Sequence, residues 1–195
     1  VAIGSSHLRS ASEMEPAPLD FCTSFTTIQP TSRIGATLNI RNVTNPIAGQ
    51  FGGVGGAIYM DGSGGGQLVI RRSRLTGNVA ARTAGAIHTY LYAGGTGMTI
   101  EDTTFEGNST QQNGGAIYHQ NGALTITRST FANNTTRGQG GAIWLLEASP
   151  TNISNSTFTG NSATGIPPNN GSSGLGGAIL INAANAVTIS HTTIA

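Results

Sequence analysis

The sequence predicts an all-β, single-domain parallel solenoid of about five to six turns with an N-terminal cap or arm. Two observations support this fold. The phrase Gly-Gly-Ala-Ile, or a near twin, occurs five times, and each copy is followed by an Ile that has a Phe, Leu or Ile five residues later. The phrases begin at Gly55, Ala84, Gly114, Gly140 and Gly176. Residues that recur in every copy usually serve stacking, so the repeat predicts architecture before function.

The repeated segments have the pattern of strands. Apolar and polar residues alternate with a period of two around each Gly-Gly-Ala-Ile and around residues 124–127, and β-branched residues are frequent. Successive copies are 30, 26, 27 and 36 residues long. This length suits one turn of a solenoid whose strands lie about 4.8 Å from those of the next turn. We therefore predict three short strands per turn: Gly-Gly-Ala-Ile, then Thr-Ile, then Thr-Phe.

Three inward ladders follow from this spacing. The first contains Ile58, Ile87, Ile117, Ile143 and Ile179. The second contains Ile70, Ile100, Ile126, Ile153 and Ile189, and the third contains Leu75, Phe105, Phe131, Phe158 and Ile194. The spacing from the second ladder to the third never changes, so insertions are expected only at corners, the longest being 162–175.

An asparagine follows four members of the third ladder by three residues. These asparagines are Asn78, Asn108, Asn134 and Asn161. Identical amide side chains in stacked strands can hydrogen-bond to one another along the stack. The sequence therefore predicts a structural asparagine ladder.

The first fifty residues do not follow the repeat. We expect residues 1–50 to form an N-terminal arm or cap, with 38–40 as a degenerate first turn, and residues 51–195 to form the repeats. The last copy stops before its asparagine turn, which predicts an open end. One interpretation is head-to-tail self-association into a filament; the other is a piece of a longer protein. The expected subunit contacts are Val1, Ala2, Ile3, Cys22, Ile194 and Ala195.

Cys22 is the only cysteine in the chain. An odd cysteine in a secreted protein indicates intermolecular pairing or a free thiol. The alternative is a small buried apolar residue between Phe21 and Phe25. The sequence leaves both interpretations open.

The pairing of Gly-Gly-Ala-Ile with Phe-x-x-Asn, over residues 55–195, resembles the repeat of the chlamydial polymorphic outer-membrane proteins and related bacterial surface proteins. The resemblance implies a right-handed parallel β-helix. It also implies an extracellular, surface-exposed adhesin or autotransporter passenger domain.

Composition narrows the classes of partner. Charged residues make up 9% of the chain, the net charge is +1, and no run of like charge occurs. A nucleic-acid partner or membrane insertion is therefore not predicted. No cofactor is predicted either, and the expected partners are further copies of the chain and environmental glycans.

Carboxylates do not stack as acids along the repeat, which favours a non-enzymatic protein. The positions equivalent to Asp61 are Tyr90, Gln120, Leu146 and Asn182. Asp102 aligns with Arg72 and Arg128, which predicts a ladder of exposed ion pairs. The histidines fall at positions that form no metal site. The alternative is a polysaccharide-binding or polysaccharide-cleaving protein, with Glu106 beside Asp61 across a corner.

One outward ladder is a candidate binding surface. The residues that follow the first inward ladder are Tyr59, His88, Tyr118 and Trp144, continued by Leu180. Aromatic rows bind sugar rings or pack against partners. The alternative is that the rings stabilise adjacent strands or lie under a corner loop.

Several Asn-x-Ser/Thr triplets occur, among them those at Asn42, Asn108, Asn134, Asn152 and Asn155. A repeat rich in Asn, Ser and Thr produces such triplets by chance. The sequence alone therefore gives no support for glycosylation at any of them.

Overall fold

A computed structural model describes residues 19–21, 26–27, 38–41, 43–45, 53–61, 67–91, 97–147, 149–165, 174–182 and 186–195. These residues contain 23 strands and no helix. All strand pairs are parallel, and they form four sheets. The predicted all-β parallel solenoid is confirmed.

Each repeat contributes one strand to every sheet. The first sheet contains β2 (Thr26–Thr27), β5 (Ile58–Asp61), β9 (Ile87–Tyr90), β13 (Ile117–Gln120), β17 (Ile143–Leu146) and β21 (Ile179–Asn182). The second sheet contains β6 (Gln67–Arg71), β10 (Gly97–Glu101), β14 (Leu124–Thr127), β18 (Thr151–Ser154) and β22 (Val187–Ser190).

The third and fourth sheets have shorter strands. The third contains β1 (Leu19–Phe21), β3 (Leu38–Arg41), β7 (Arg74–Thr76), β11 (Thr104–Glu106), β15 (Thr130–Ala132), β19 (Thr157–Thr159) and β23 (Thr193–Ile194). The fourth contains β4 (Thr44–Asn45), β8 (Val79–Ala80), β12 (Ser109–Thr110), β16 (Thr135–Thr136) and β20 (Ser162–Ala163).

Two details of the prediction were wrong. Each turn has four strands, not three, because a two-residue strand follows the ladder asparagine. Two residues are too few to show a period of two, so the pattern could not reveal this strand. The described residues also form fewer complete turns than the five to six expected: four full sets of strands run from β5 to β20, followed by β21 to β23.

The three inward ladders form the core. The isoleucines of β9, β13 and β17 pair in register and are fully buried. Phe105, Phe131 and Phe158 stack with ring centroids 4.7 and 4.6 Å apart and nearly parallel planes. Their separation matches the strand spacing, because each ring is fixed to its own turn. Ile189 and Ile194, on the last strands, are 39% and 52% exposed.

The two glycines of the repeated phrase have different functions. The first has a positive φ in Gly55, Gly114, Gly140 and Gly176, and Ala84 takes the same conformation with φ 59°. The second lies against the backbone of the next turn. A Cβ added to Gly115 would overlap the carbonyl oxygen of Gly141. The second glycine is therefore required by the close approach of successive turns.

Strands that precede residue 50 join the same sheets as the repeats. β3 pairs with both β1 and β7, and β4 pairs with β8. The division of the chain at residue 50 stays a prediction.

Substitution of the second glycine tests the close approach of the turns. We expect Gly115→Ala to lower the free energy of unfolding by about 3 kcal/mol or more, because backbone atoms on both sides must move. Gly107→Ala is the matched control. Its added Cβ has open space, and only its positive φ of 63° opposes the change, at a cost of about 1 kcal/mol. Equal losses for the two variants in urea unfolding would contradict the account.

Candidate functional site

Four asparagines form a continuous hydrogen-bonded row between the third and fourth sheets. The Nδ2 atoms of Asn78, Asn108 and Asn134 each donate to the Oδ1 atom of the asparagine in the next turn, at 2.9 Å. The row ends, within the described turns, at Asn161. The structure thus brings together all four asparagines that the sequence singled out.

Backbone groups form the remaining hydrogen bonds of each side-chain amide. Asn108 Nδ2 also donates to the carbonyl oxygen of Leu75, and Asn134 Nδ2 to that of Phe105. Each Oδ1 accepts a second bond, from the backbone N–H of the asparagine one turn earlier. Asn108 and Asn134 therefore make four hydrogen bonds each while fully buried. Both side chains link the preceding turn to the following one.

A second polar row, of hydroxyl groups, was not predicted from the sequence. Ser73, Thr103, Ser129 and Ser156 each donate to the carbonyl oxygen two residues earlier, at 2.7 to 2.8 Å. The first three of these residues donate their backbone N–H to the hydroxyl of the next turn. The available signal was a Ser or Thr three residues after every Ile of the second ladder.

The aromatic ladder is a closed stack of rings. The centroids of Tyr59 and His88 lie 5.4 Å apart, those of His88 and Tyr118 4.4 Å, and those of Tyr118 and Trp144 4.5 Å. Each side chain is only 7 to 9% exposed. The rings of Tyr59, His88 and Tyr118 stack face to face, whereas the planes of Tyr118 and Trp144 are tilted by 45°. This geometry favours the alternative that the rings stabilise adjacent strands.

Two histidines are buried and hydrogen-bonded. His119 Nε2 donates to the carbonyl oxygen of Gly122 at 3.0 Å, and its Nδ1 lies 2.6 Å from Thr89 Oγ1. Because a carbonyl only accepts, the neutral ring has its proton on Nε2 and accepts from the threonine hydroxyl. Burial lowers the pKa of His119 to about 4 and, together with nearby Arg82, lowers the pKa of His88 to about 3.

Exposed ion pairs connect successive turns at, or beside, the corner between the second and third sheets. Arg128 binds both carboxylate oxygens of Asp102, at 2.7 and 2.9 Å. This hydrogen-bonded contact lowers the pKa of Asp102. Arg71 contacts Glu101 at 2.8 Å.

Glu106 contacts Arg74 at 3.1 Å. Its strand β11 belongs to the third sheet, whereas Asp61 lies on β5 in the first sheet. The Glu106 carboxylate is thus directed to the preceding turn within its own sheet.

A family model described as "Right handed beta helix region" matches residues 56–195, which is more than half of the chain. The chain belongs to the right-handed β-helix family. No curated protein and no solved structure matches it. The family assignment gives the hand of the solenoid, and its boundary at residue 56 coincides with the first Gly-Gly-Ala-Ile phrase.

The β-helix places the other predicted site residues as follows. Ile194 and Ala195 are exposed at β23, and Val1, Ala2, Ile3 and Cys22 lie outside the described residues. Head-to-tail association stays a prediction. Within the described ranges, no group of three His, Cys, Asp or Glu side chains is arranged to hold a metal ion. No helix of membrane-spanning length and apolarity occurs in the same ranges.

Substitution of a ladder asparagine tests its structural role. We expect Asn108→Leu to lower the free energy of unfolding by about 3 kcal/mol or more, because buried partners in two other turns lose their hydrogen bonds. Asn152→Leu is the control, since Asn152 is an exposed asparagine on β18. A melting temperature for Asn108→Leu as high as that of the control would refute the ladder.

The buried histidines predict acid sensitivity. Both pKa values are lower in the folded protein than the ordinary value of 6.5, so the unfolded chain binds more protons between pH 6.5 and 4. Stability is therefore complete above pH 6.5 and falls with decreasing pH, by up to about 1.4 kcal/mol per pH unit for each histidine.

Urea unfolding of His119→Leu from pH 7 to pH 4 measures this dependence. Leu145 occupies the equivalent position one turn later, so leucine fits the site. We expect a smaller pH slope in this variant than in the wild type, because one histidine with a lowered pKa has been removed. An unchanged slope in His119→Leu would show that this histidine is protonated alike in both states.

Proposed function

We propose that this β-helix is a non-enzymatic extracellular module, structural or adhesin-like, of a cell-surface protein. The observation that carries the proposal is that carboxylates of one turn bind side chains of an adjacent turn. Four of the acidic side chains in the repeats contact a side chain of a neighbouring turn: Glu101, Asp102, Glu106 and Glu147. These carboxylates link turns instead of facing a common substrate.

Polysaccharide cleavage requires a different arrangement. Glycosidases use two carboxylates on opposite sides of the scissile bond, one of them protonated. Asp102 instead has a lowered pKa because of Arg128, which opposes the function of a general acid. Glu106 and Asp61 lie in different sheets. The resemblance of the repeat to chlamydial polymorphic outer-membrane proteins further supports a surface function.

A threonine row that is half-buried at Thr104 and Thr130 and exposed in the last two turns favours an adhesin-like function by glycan binding. The threonines follow one another in register on the outer side of the third sheet: Thr104, Thr130, Thr157 and Thr193. Their side chains alternate with the buried phenylalanines and face outward. Hydroxyl groups at the regular spacing of the strands match the donors and acceptors of a polysaccharide surface.

A cleavage assay tests the non-enzymatic proposal. Purified protein is incubated with polygalacturonate, xylan and chitin, and new reducing ends and unsaturated uronates are measured. We expect no product above that of heat-denatured protein. Product formation that Glu106→Gln or Asp61→Asn abolishes, with the fold intact by circular dichroism, would overturn the proposal and favour the polysaccharide-cleaving alternative.

A binding assay tests the threonine row. Retention on insoluble chitin and xylan is compared for the wild type and for the double variant Thr130→Val and Thr157→Val, which keeps shape but removes two hydroxyl groups. We expect retention of the wild type on at least one polymer and at least about tenfold weaker retention of the variant. Equal retention of the two proteins would exclude the row as the binding surface.

A further inference from the structure

The structure divides the seven Asn-x-Ser/Thr triplets of the chain into distinct groups. Asn108 and Asn134 are fully buried in the asparagine ladder. Their Nδ2 atoms each donate two hydrogen bonds, so an attached sugar would replace a donor of the ladder. Asn133, Asn152 and Asn155 are exposed. Asn42 and Asn170 lie outside the described residues.

Asn155 occupies a convex corner between β18 and β19. Its φ is 50°, and its backbone N–H donates to Ser190 O at 3.2 Å. The equivalent residues in the other turns share this backbone conformation, with φ between 47° and 50°: Arg72, Asp102, Arg128 and His191. All four are exposed. Side chains at this corner thus lie at the surface, where Arg128 contacts Asp102 of the preceding turn.

The remaining parts of the triplet also fit a modification site. Thr157, two residues after Asn155, is exposed at the start of β19. Ser156, between them, is buried in the hydroxyl row, where its Oγ donates to Ser154 O at 2.8 Å. The triplet is therefore anchored by its middle residue, and the two residues that define it for glycosylation face solvent.

Asn152 differs from Asn155 in its surroundings. It lies within β18, with Thr125 and Thr188 in register on the adjacent strands. A sugar on Asn152 would lie about 4.8 Å from the side chains on both sides. Asn155 instead lies at a corner outside the paired strands, and Asn133 lies at another corner, with φ 53°.

We propose that Asn155 is an attachment site of an N-linked glycan. The donor is an oligosaccharide joined through pyrophosphate to a lipid. A bond forms between Asn155 Nδ2 and C1 of the first sugar, the bond from C1 to the pyrophosphate oxygen breaks, and the lipid pyrophosphate leaves as one amide proton is lost. The proposal rests on the extracellular location proposed above, because this transfer accompanies export.

The test is secretion of the chain from a eukaryotic cell line that performs N-linked transfer. The secreted protein is checked for its β-sheet circular dichroism and digested with peptide N-glycosidase in heavy-oxygen water. Each formerly glycosylated asparagine is then an isotopically marked aspartate in the peptide map. We expect the mark at Asn155, with Asn108 and Asn134 unmarked.

Three variants separate modification from folding. Asn155→Asp removes the acceptor and keeps a residue that Asp102 shows to suit the corner. Thr157→Ala removes the triplet but keeps Asn155, and Thr157→Ser restores it. We expect loss of the glycan in the first two variants and its retention in the third.

Folded, secreted wild type without a glycan at Asn155 would overturn the proposal. Modification of Asn152 in place of Asn155, or of Asn108 or Asn134 in folded protein, would also overturn it. None of these outcomes changes the result of the polysaccharide cleavage assay. The failure of this proposal is therefore distinguishable from the failure of the proposed function.

Discussion

The register between successive turns depends on the buried asparagine ladder. The backbone of each turn of the β-helix hydrogen-bonds to the turns on either side. Backbone bonds alone would tolerate a slip in register wherever the side chains do not distinguish one register from another. A buried amide removes that freedom, because one lost partner costs about 1 to 3 kcal/mol. Asn108 is bonded to Asn78, Leu75 and Asn134, so its four bonds fix the relative positions of three turns at one corner.

The other recurring residues follow from this fixed register. Turns that lie one strand spacing apart place each phenylalanine ring directly on the next, and they leave no room for a Cβ at the second glycine of the repeated phrase. The hydroxyl row closes the neighbouring corner in the same way. The interior side chains and the corner side chains of the hydroxyl row thus serve to stack one turn on the next. Variation is confined to outward positions such as Asn155 and Thr157, which is why the proposed functions use those surfaces.

The sequence was sufficient to predict the ladders, because residues at a constant spacing in each repeat occupy equivalent positions in successive turns. It was insufficient where the outcome depends on how side chains are oriented and on whether neighbouring side chains bury them. The rings of Tyr118 and Trp144 follow the outward positions of the strand, yet they are buried, since they pack against each other and in a small cluster with Ala84, Leu146 and Leu180. The fourth strand of each turn was missed because two residues are too few to show an alternation of apolar and polar residues. The ion pair of Arg71 and Glu101 follows from the register of β6 and β10, as a constant repeat spacing implies.

Hydrogen exchange of individual amides tests the central claim most directly. The backbone N–H groups of Asn108 and Asn134, and their side-chain Nδ2 protons, are bonded inside the ladder. The account predicts that these protons exchange only through global unfolding, with a free energy of opening equal to that of chemical denaturation. Exchange of the two Nδ2 groups as fast as that of the exposed Asn152 side chain would contradict it.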